Sequence, residues 1–313
     1  MNGKAILLTG GTGSFGQEFT RIILNEYNPK FIRIFSRGEL LQKEMAEKFN
    51  DSRLQFVIGD VRDRKTTQKA TQDIDIIVHA AALKQIPQGE INPLEFVYTN
   101  ILGTNNIIDS ALLNNVNKTI LISSDKAVKP VNLYGATKMV AEKLFIQANM
   151  YPSTSKFSCI RYGNVIGSRG SIIPKILESA GTINLTDKRM TRFWITLEQG
   201  VHFVVMCLDK MQGGEIFVPK IPSMSIADLI EAISPKAKVK IIGIRPGEKL
   251  HEELISTEET RHTKELGNYY IIEPELPFWK GIKGKPFAEK YDSKTNSYKL
   301  TRDDITKMVE KLC

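Results

Sequence analysis

The sequence predicts an α/β fold, a doubly wound parallel sheet with a smaller C-terminal substrate-binding region, on three observations. Short unbroken apolar runs alternate with apolar-periodic stretches over the first 160 or so residues, as βαβ units require. A glycine-rich turn follows the first of these runs directly. Beyond about residue 165 the rhythm changes to shorter, Pro/Gly-punctuated segments.

Lys4 to Leu8 is apolar without alternation, which marks a central strand buried on both faces. It runs into Thr9-Gly10-Gly11-Thr12-Gly13-Ser14-Phe15-Gly16 and then a helix, Phe19 to Leu24. Glycines there turn the chain sharply, let a pyrophosphate approach the backbone and pack the helix on the sheet. Gly10, Thr12, Gly13, Ser14, Phe15 and Gly16 are therefore candidate cofactor contacts. Phe31 to Phe35 is the next strand. An NAD site usually carries an acid at its end, but this chain has Ser36-Arg37. A guanidinium matches a phosphate bidentately, so the cofactor reads as NADP. The plainer reading of Arg37 is a surface arginine at a strand end.

Glu39 to Phe49 reads as a solvated helix and Leu54 to Ile58 as the third strand, ending in Asp60 and Val61. Asp60 can accept from an adenine amino group with Val61 against the ring, or cap the next helix. Ile74 to Val78 is the fourth strand, followed by Ala80, Ala81 and Ala82, small enough for a ligand to lie on the backbone. A loop with Lys84 and Glu90 leads to a long helix, Pro93 to Val116, where a buried Asn100 needs partners. Thr119 to Ser123 is the fifth strand and delivers SSDKAVKPVNLYGATK. Tyr134 and Lys138 lie four apart on one helix face, so the ammonium can sit beneath the phenol and stabilise its phenolate.

Phe157 to Arg161 is a sixth strand, Leu197 to Leu208 a helix and Glu215 to Val218 one more strand. IGIRPGEKLHEEL reads as a turn before a short helix. The expected division is a dinucleotide-binding domain over 1–165, with 194–220 returning to it. Segments 166–193 and 221–280 form the substrate region. A tail over 281–313 is loosely ordered to about Asn296 and closes on a helix, Leu300 to Leu312, capped by Thr301 and Asp304.

At 313 residues, 42% hydrophobic and 25% charged, the chain is ordinary globular material. Its net charge of +8 shows no basic stripe with interleaved aromatics, so nucleic acid is not an expected partner. The apolar runs are far shorter than the roughly 20 residues a membrane span needs. The start has no leader pattern, and a cytoplasmic protein is expected. Cys159, Cys207 and Cys313 have neither disulfide nor metal spacing; the first two read as core and Cys313 as a frayed terminus. The four histidines also lack ligand spacing, so no metal site is expected.

TGGTGSFG, SRGE, GDVRD, AALKQIP, SSDKA with YGATK, RYGNVIGSRGS, RMTRFW and IRPGEKLHEEL together resemble the extended short-chain dehydrogenase/reductase superfamily. More narrowly, they resemble its inverting UDP-N-acetylglucosamine 4,6-dehydratases of bacterial surface-sugar pathways. The resemblance implies a Rossmann-type fold, a homo-oligomer and a UDP-sugar substrate. It makes Tyr134 and Lys138 the oxidoreductase pair, with Ser124 beside them. Asp125 and Lys126 become the acid and base of elimination, with Lys126 kept neutral by burial and by Lys138. Lys84, Asn164, Arg192, Arg245 and Glu248 become substrate contacts. The alternatives are a UDP-sugar epimerase or 4-reductase, which needs no acid/base dyad, and a non-catalytic NADP-binding regulatory protein.

Overall fold

The computed structural model describes residues 1–177 and 181–310. The chain opens β1 (Ala5–Thr9), α1 (Ser14–Glu26), β2 (Phe31–Ser36), α2 (Glu39–Phe49), β3 (Leu54–Ile58), α3 (Arg64–Ala70) and β4 (Ile76–His79). Next come α4 (Ile86–Ile91), α5 (Pro93–Phe96), a π-helical segment (Val97–Leu102), α6 (Gly103–Leu113), β5 (Lys118–Ile122), α7 (Leu133–Gln147) and β6 (Lys156–Ile160). The second half holds β7 (Asn164–Val165), α8 (Ile172–Leu177), β8 (Thr182–Leu185), β9 (Thr191–Ile195), α9 (Leu197–Lys210), β10 (Ile216–Pro219), β11 (Ser223–Ser225) and α10 (Ile226–Ile233). It ends with β12 (Lys238–Ile241), β13 (Glu253–Ile255), β14 (Thr263–Leu266), β15 (Tyr269–Ile272), β16 (Lys285–Pro286), β17 (Tyr291–Asp292) and α11 (Arg302–Glu310).

The main sheet has ten strands in the order β16-β14-β15-β10-β6-β5-β4-β1-β2-β3. From β3 to β10 every pairing is parallel. Strands β1 and β4 are buried at every position, as their unbroken apolar runs require. Helix α1 lays Phe19, Ile22 and Ile23 on the sheet, each at most 1% exposed, a burial worth about 2 kcal/mol per side chain. Strand order reverses between β1 and β4, and ligands of open α/β sheets bind outside the carboxyl ends at such a switch point. A second core of Ile166, Ile173, Leu185, Trp194, Leu229 and Ile305 lies under the C-terminal segments.

Four expectations change. The long helix from Pro93 to Val116 is interrupted by the π segment, whose wider turn carries Asn100. Residues 263–272, expected in the substrate region, and 285–286, expected in the tail, extend the main sheet beyond β10 through successive antiparallel pairings. The four consecutive apolar residues Tyr269–Ile272 are all buried there, which a surface cover would not achieve. IRPGEKLHEEL ends in strand β13, paired with β17, and the short helix that follows is a single 3-10 turn, Glu259–His262. The tail is anchored where it was expected to be loose. Tyr291, Asp292, Ser293 and Asn296 are buried, and the Tyr291 hydroxyl donates to Ile221 O at 2.8 Å. The C-terminal helix is capped reciprocally by Thr301 and Asp304, and its expected end at Leu312, like Cys313, lies outside the described residues. Among the described residues no helix is long and apolar enough to cross a membrane.

Candidate active site

The glycine turn holds its shape because nothing larger fits. Gly10 has φ +67°, and a Cβ there would stand 2.9 Å from Ala81 Cα. A Cβ on Gly16 would meet Gly11 O at 2.2 Å, which brings α1 against the turn. Gly13 caps α1 without a side-chain hydrogen bond, so the first-turn N–H groups of Ser14, Phe15 and Gly16 face outward for an anion. Thr12 is buried and Phe15 packs on Phe19. Ala80, Ala81 and Ala82 line the opposite wall, and Ala81 N donates to Thr9 Oγ1. This uncapped, small-residue cradle fits a dinucleotide pyrophosphate.

At the end of β2, Gln42 fastens Ser36 through its carbonyl and hydroxyl, and Arg37 is exposed beside Asp60 at 3.9 Å. Asp60 is committed: Arg62 binds it through its backbone N–H, Nε and Nη2. These partners hold its carboxyl below the usual range against the opposing effect of burial. Val61 is buried against Gly103 of α6. Asp60 thus makes an ion pair and Val61 a packing contact, and the cap of α3 is Asp63, not Asp60.

Asn100 meets its need for partners fully. Its side chain exchanges two 2.8 Å hydrogen bonds with the backbone of Leu83 and donates to Thr137 Oγ1 at 3.0 Å. It thereby ties the loop after β4 to α7. His79 supports it from below. The Thr104 hydroxyl donates to Asn100 O, so it accepts from His79 Nε2, and Nδ1 accepts from Thr9 Oγ1. Burial, with Lys138 adding to it, pushes the His79 pKa down to about 3.

The catalytic candidates meet where β5 ends and α7 begins. Asn132 caps α7 by accepting from Gly135 N at 2.8 Å, a cap worth about 1 kcal/mol, and this starts the helix one residue before Tyr134. Asp125 is fully buried. Its Oδ1 accepts from Ser124 Oγ and Lys126 Nζ, each at 2.8 Å, while its Oδ2 is buried without a hydrogen-bond partner. Lys126 Nζ also donates to Asn164 Oδ1 at 3.3 Å. Tyr134, 9% exposed, stands beside this group. Burial raises its pKa; the Lys126 charge and the Ser124 hydroxyl pull it back only in part.

Two electrostatic expectations are overturned. Lys138 Nζ donates to Ile122 O at 2.6 Å, burial brings its pKa down to about 8, and the cation acting on Tyr134 is Lys126. Nor is Lys126 kept neutral. Burial alone would lower its pKa, but the Asp125 and Glu252 carboxylates outweigh burial and the opposing Arg192 charge, and the net direction is upward.

The expected substrate contacts divide. Asn164 joins the dyad. Lys84 reaches solvent, and packing around its ammonium together with the nearby Arg169 guanidinium lowers its pKa. Arg192 turns inward, 7% exposed, with its guanidinium bonded to the carbonyls of Thr191, Lys249 and Leu250, and so clamps the chain. Arg245 and Glu248 pair with each other on an exposed turn. Two residues escaped the sequence reading. Arg169 crosses to the glycine turn, donating from its guanidinium to Thr12 O and from its backbone to Ser14 Oγ. Glu252, 3% exposed, stands 3.5 Å from Lys126 Nζ. The first Glu of HEEL carries no spacing signal that links it to a lysine 126 positions earlier.

Residues 6–274 match the family described as polysaccharide biosynthesis protein. The UDP-N-acetylglucosamine 4,6-dehydratase (inverting) of Campylobacter jejuni is 51% identical over 283 residues, spanning 88% of this chain and 85% of the relative. A UDP-glucose 4-epimerase of Rickettsia bellii is 42% identical, over 86% of this chain and 82% of its own. Among solved structures, Pen from Bacillus thuringiensis is similar at a TM-score of 0.93 and 35% identity, covering 100% of this chain and 99% of that one.

Proposed function

The chain belongs to the polysaccharide biosynthesis protein family, and on that premise we propose that it catalyses the NADP-dependent 4,6-dehydration of UDP-N-acetylglucosamine with inversion at C5. The product is a UDP-2-acetamido-2,6-dideoxy-hexos-4-ulose for surface glycan synthesis, and the enzyme is a lyase. The observation that carries this reading is the Asp125–Lys126 pair, its carboxylate fully buried and its ammonium partly so, hydrogen-bonded at 2.8 Å and set beside Tyr134 and Asn164.

Tyr134 Oη, once deprotonated to the phenolate that the Lys126 charge favours, takes the C4 hydroxyl proton as the ketone forms. The turn of Gly10, Gly13 and Gly16 would hold the dinucleotide, which when bound would supply acceptance of the C4 hydride and its return to C6 with no net redox change. With a ketone at C4 the C5 proton becomes acidic. At rest Lys126 holds the shared proton; its movement to Asp125 Oδ1 yields at once the neutral amine and the carboxylic acid that elimination needs. Lys126 then removes the C5 proton while Asp125 protonates the departing C6 hydroxyl, which leaves as water. Reprotonation at C5 from the opposite face by a solvent proton inverts the centre, and Tyr134 releases the proton it took from O4 back to solvent. Asn164 steadies the Lys126 amine throughout.

The exposed Arg37 beyond β2 supports NADP over NAD, because its guanidinium is available to a 2′-phosphate. A homo-oligomer is part of the reading. Ile91 and Leu94, 72% and 61% exposed, continue through Tyr98 and Leu102 as one apolar stripe on α4, α5 and the π segment, an arrangement a second copy of the chain would cover. Buried free thiols at Cys159 and Cys207 suit a reducing compartment, the cytoplasm. Native mass spectrometry of the purified protein reads cofactor and subunit number together; bound NAD or a monomer would overturn those points.

The test of the reaction is proton NMR with UDP-N-acetylglucosamine in deuterated water. A 4-keto product lighter by one water, with C5 exchanged and inverted, is expected. The Rickettsia relative favours 4-epimerisation as the second reading, and UDP-N-acetylgalactosamine without water loss would establish that in its place.

A further inference from the structure

We infer that Glu252 is a positioning residue for the reaction, holding Lys126 between itself and Asp125 and setting which member of the pair carries their shared proton. The inference rests on the dehydratase reading and adds a residue to it. Lys126 Nζ lies 2.8 Å from Asp125 Oδ1 and 3.5 Å from Glu252 Oε1, with the Asn164 amide at 3.3 Å. Glu252 is fixed by its backbone, which exchanges hydrogen bonds with Ser293 N and Oγ across to the C-terminal segment.

The other cations near Glu252 have closer partners. Arg192 Nε stands 3.8 Å away, and that guanidinium is taken up by three backbone carbonyls. Lys249 Nζ, at 3.8 Å, donates to Val128 O at 2.6 Å. Glu252 Oε2 is buried without a hydrogen-bond partner. Lys126 is thus the closest cation to a carboxylate shielded from water, where charge coupling is strong.

The groups that face Lys126 are Asp125, Glu252, Arg192, Asn164 and Tyr134; neighbouring His251 turns to Thr191 Oγ1. Moving the proton from Lys126 Nζ to Asp125 Oδ1 leaves the net charge unchanged but removes a positive charge from beside Glu252. Glu252 therefore favours the ammonium at rest, and favours it again after Lys126 has taken the C5 proton. It makes Lys126 a stronger base and, as a negative charge beside the pair, raises the pH at which the pair sheds any extra proton and reaches the one-proton form that reacts.

The experiment follows deuterium incorporation at C5 of UDP-N-acetylglucosamine against pH, with KM measured in parallel. Glu252→Gln keeps the shape and removes the charge; its rising limb should move to lower pH by about one unit, with KM within about twofold of wild type. Glu252→Asp should restore the wild-type limb. Lys249→Met removes a positive charge and should move the limb to higher pH, an opposite sign that damage to the fold does not produce; it also keeps the test open if Glu252→Gln fails to fold. Limbs that stay in place, or both move the same way, in an active enzyme overturn the role of Glu252. A wild-type enzyme that releases no water overturns the dehydratase reading itself.

Discussion

Asp125 and Lys126 show how a pair of ordinary surface-type residues becomes a reactive unit. Burial sets the cost of each charge high, and their 2.8 Å hydrogen bond lets one proton serve both. Asp125→Asn and Lys126→Met should each lower water elimination by about 10²- to 10⁴-fold, while a purely epimerising enzyme would lose little. Product analysis by mass distinguishes the two outcomes, and undiminished water loss in both variants would remove the pair from the mechanism. The SSDKA motif identified this pair from the sequence. Its protonation was not legible there, because that depends on Glu252 and Arg192, which only folding brings near.

The element that most departs from simple helical reading is the segment from Val97 to Leu102. Apolar spacing from Pro93 to Val116 fits an unbroken helix, since periodicity does not distinguish α from a single π turn. What decides is Asn100, whose amide must reach Leu83 and Thr137 on two other segments. Asn100→Ala would strand those buried groups and should cost about 2–4 kcal/mol, read from the urea midpoint at constant m-value. A loss below about 0.5 kcal/mol would mean that packing alone shapes the π segment. The N-terminus of α7 is the contrasting case. The sequence reading opens that helix on Tyr134, and the structure starts it one residue earlier behind the Asn132 cap, which keeps Tyr134 in the first turn.

Over the whole molecule, His79 ties the sheet centre to pH. It is neutral in the fold, with a pKa near 3 against an ordinary 6.5. As pH falls through about 6.5 the unfolded chain takes up a proton that the native one refuses until about 3, so stability is lost across that window and is complete above it. The loss is on the order of a few kcal/mol. Urea midpoints between those pH values should fall less steeply for His79→Gln than for wild type, and parallel slopes would show that other groups govern acid unfolding. The sequence by itself determined the parallel sheet, the glycine cradle and the stretch that carries the reacting side chains, because these depend on periodicity, backbone freedom and neighbours a few positions apart. Tertiary structure decided the antiparallel strands Thr263–Leu266 and Tyr269–Ile272, the inward turn of Arg192, and the approach of Glu252 to Lys126. Those depend on which distant surfaces meet, and charge coupling falls with distance in space, not with separation along the chain.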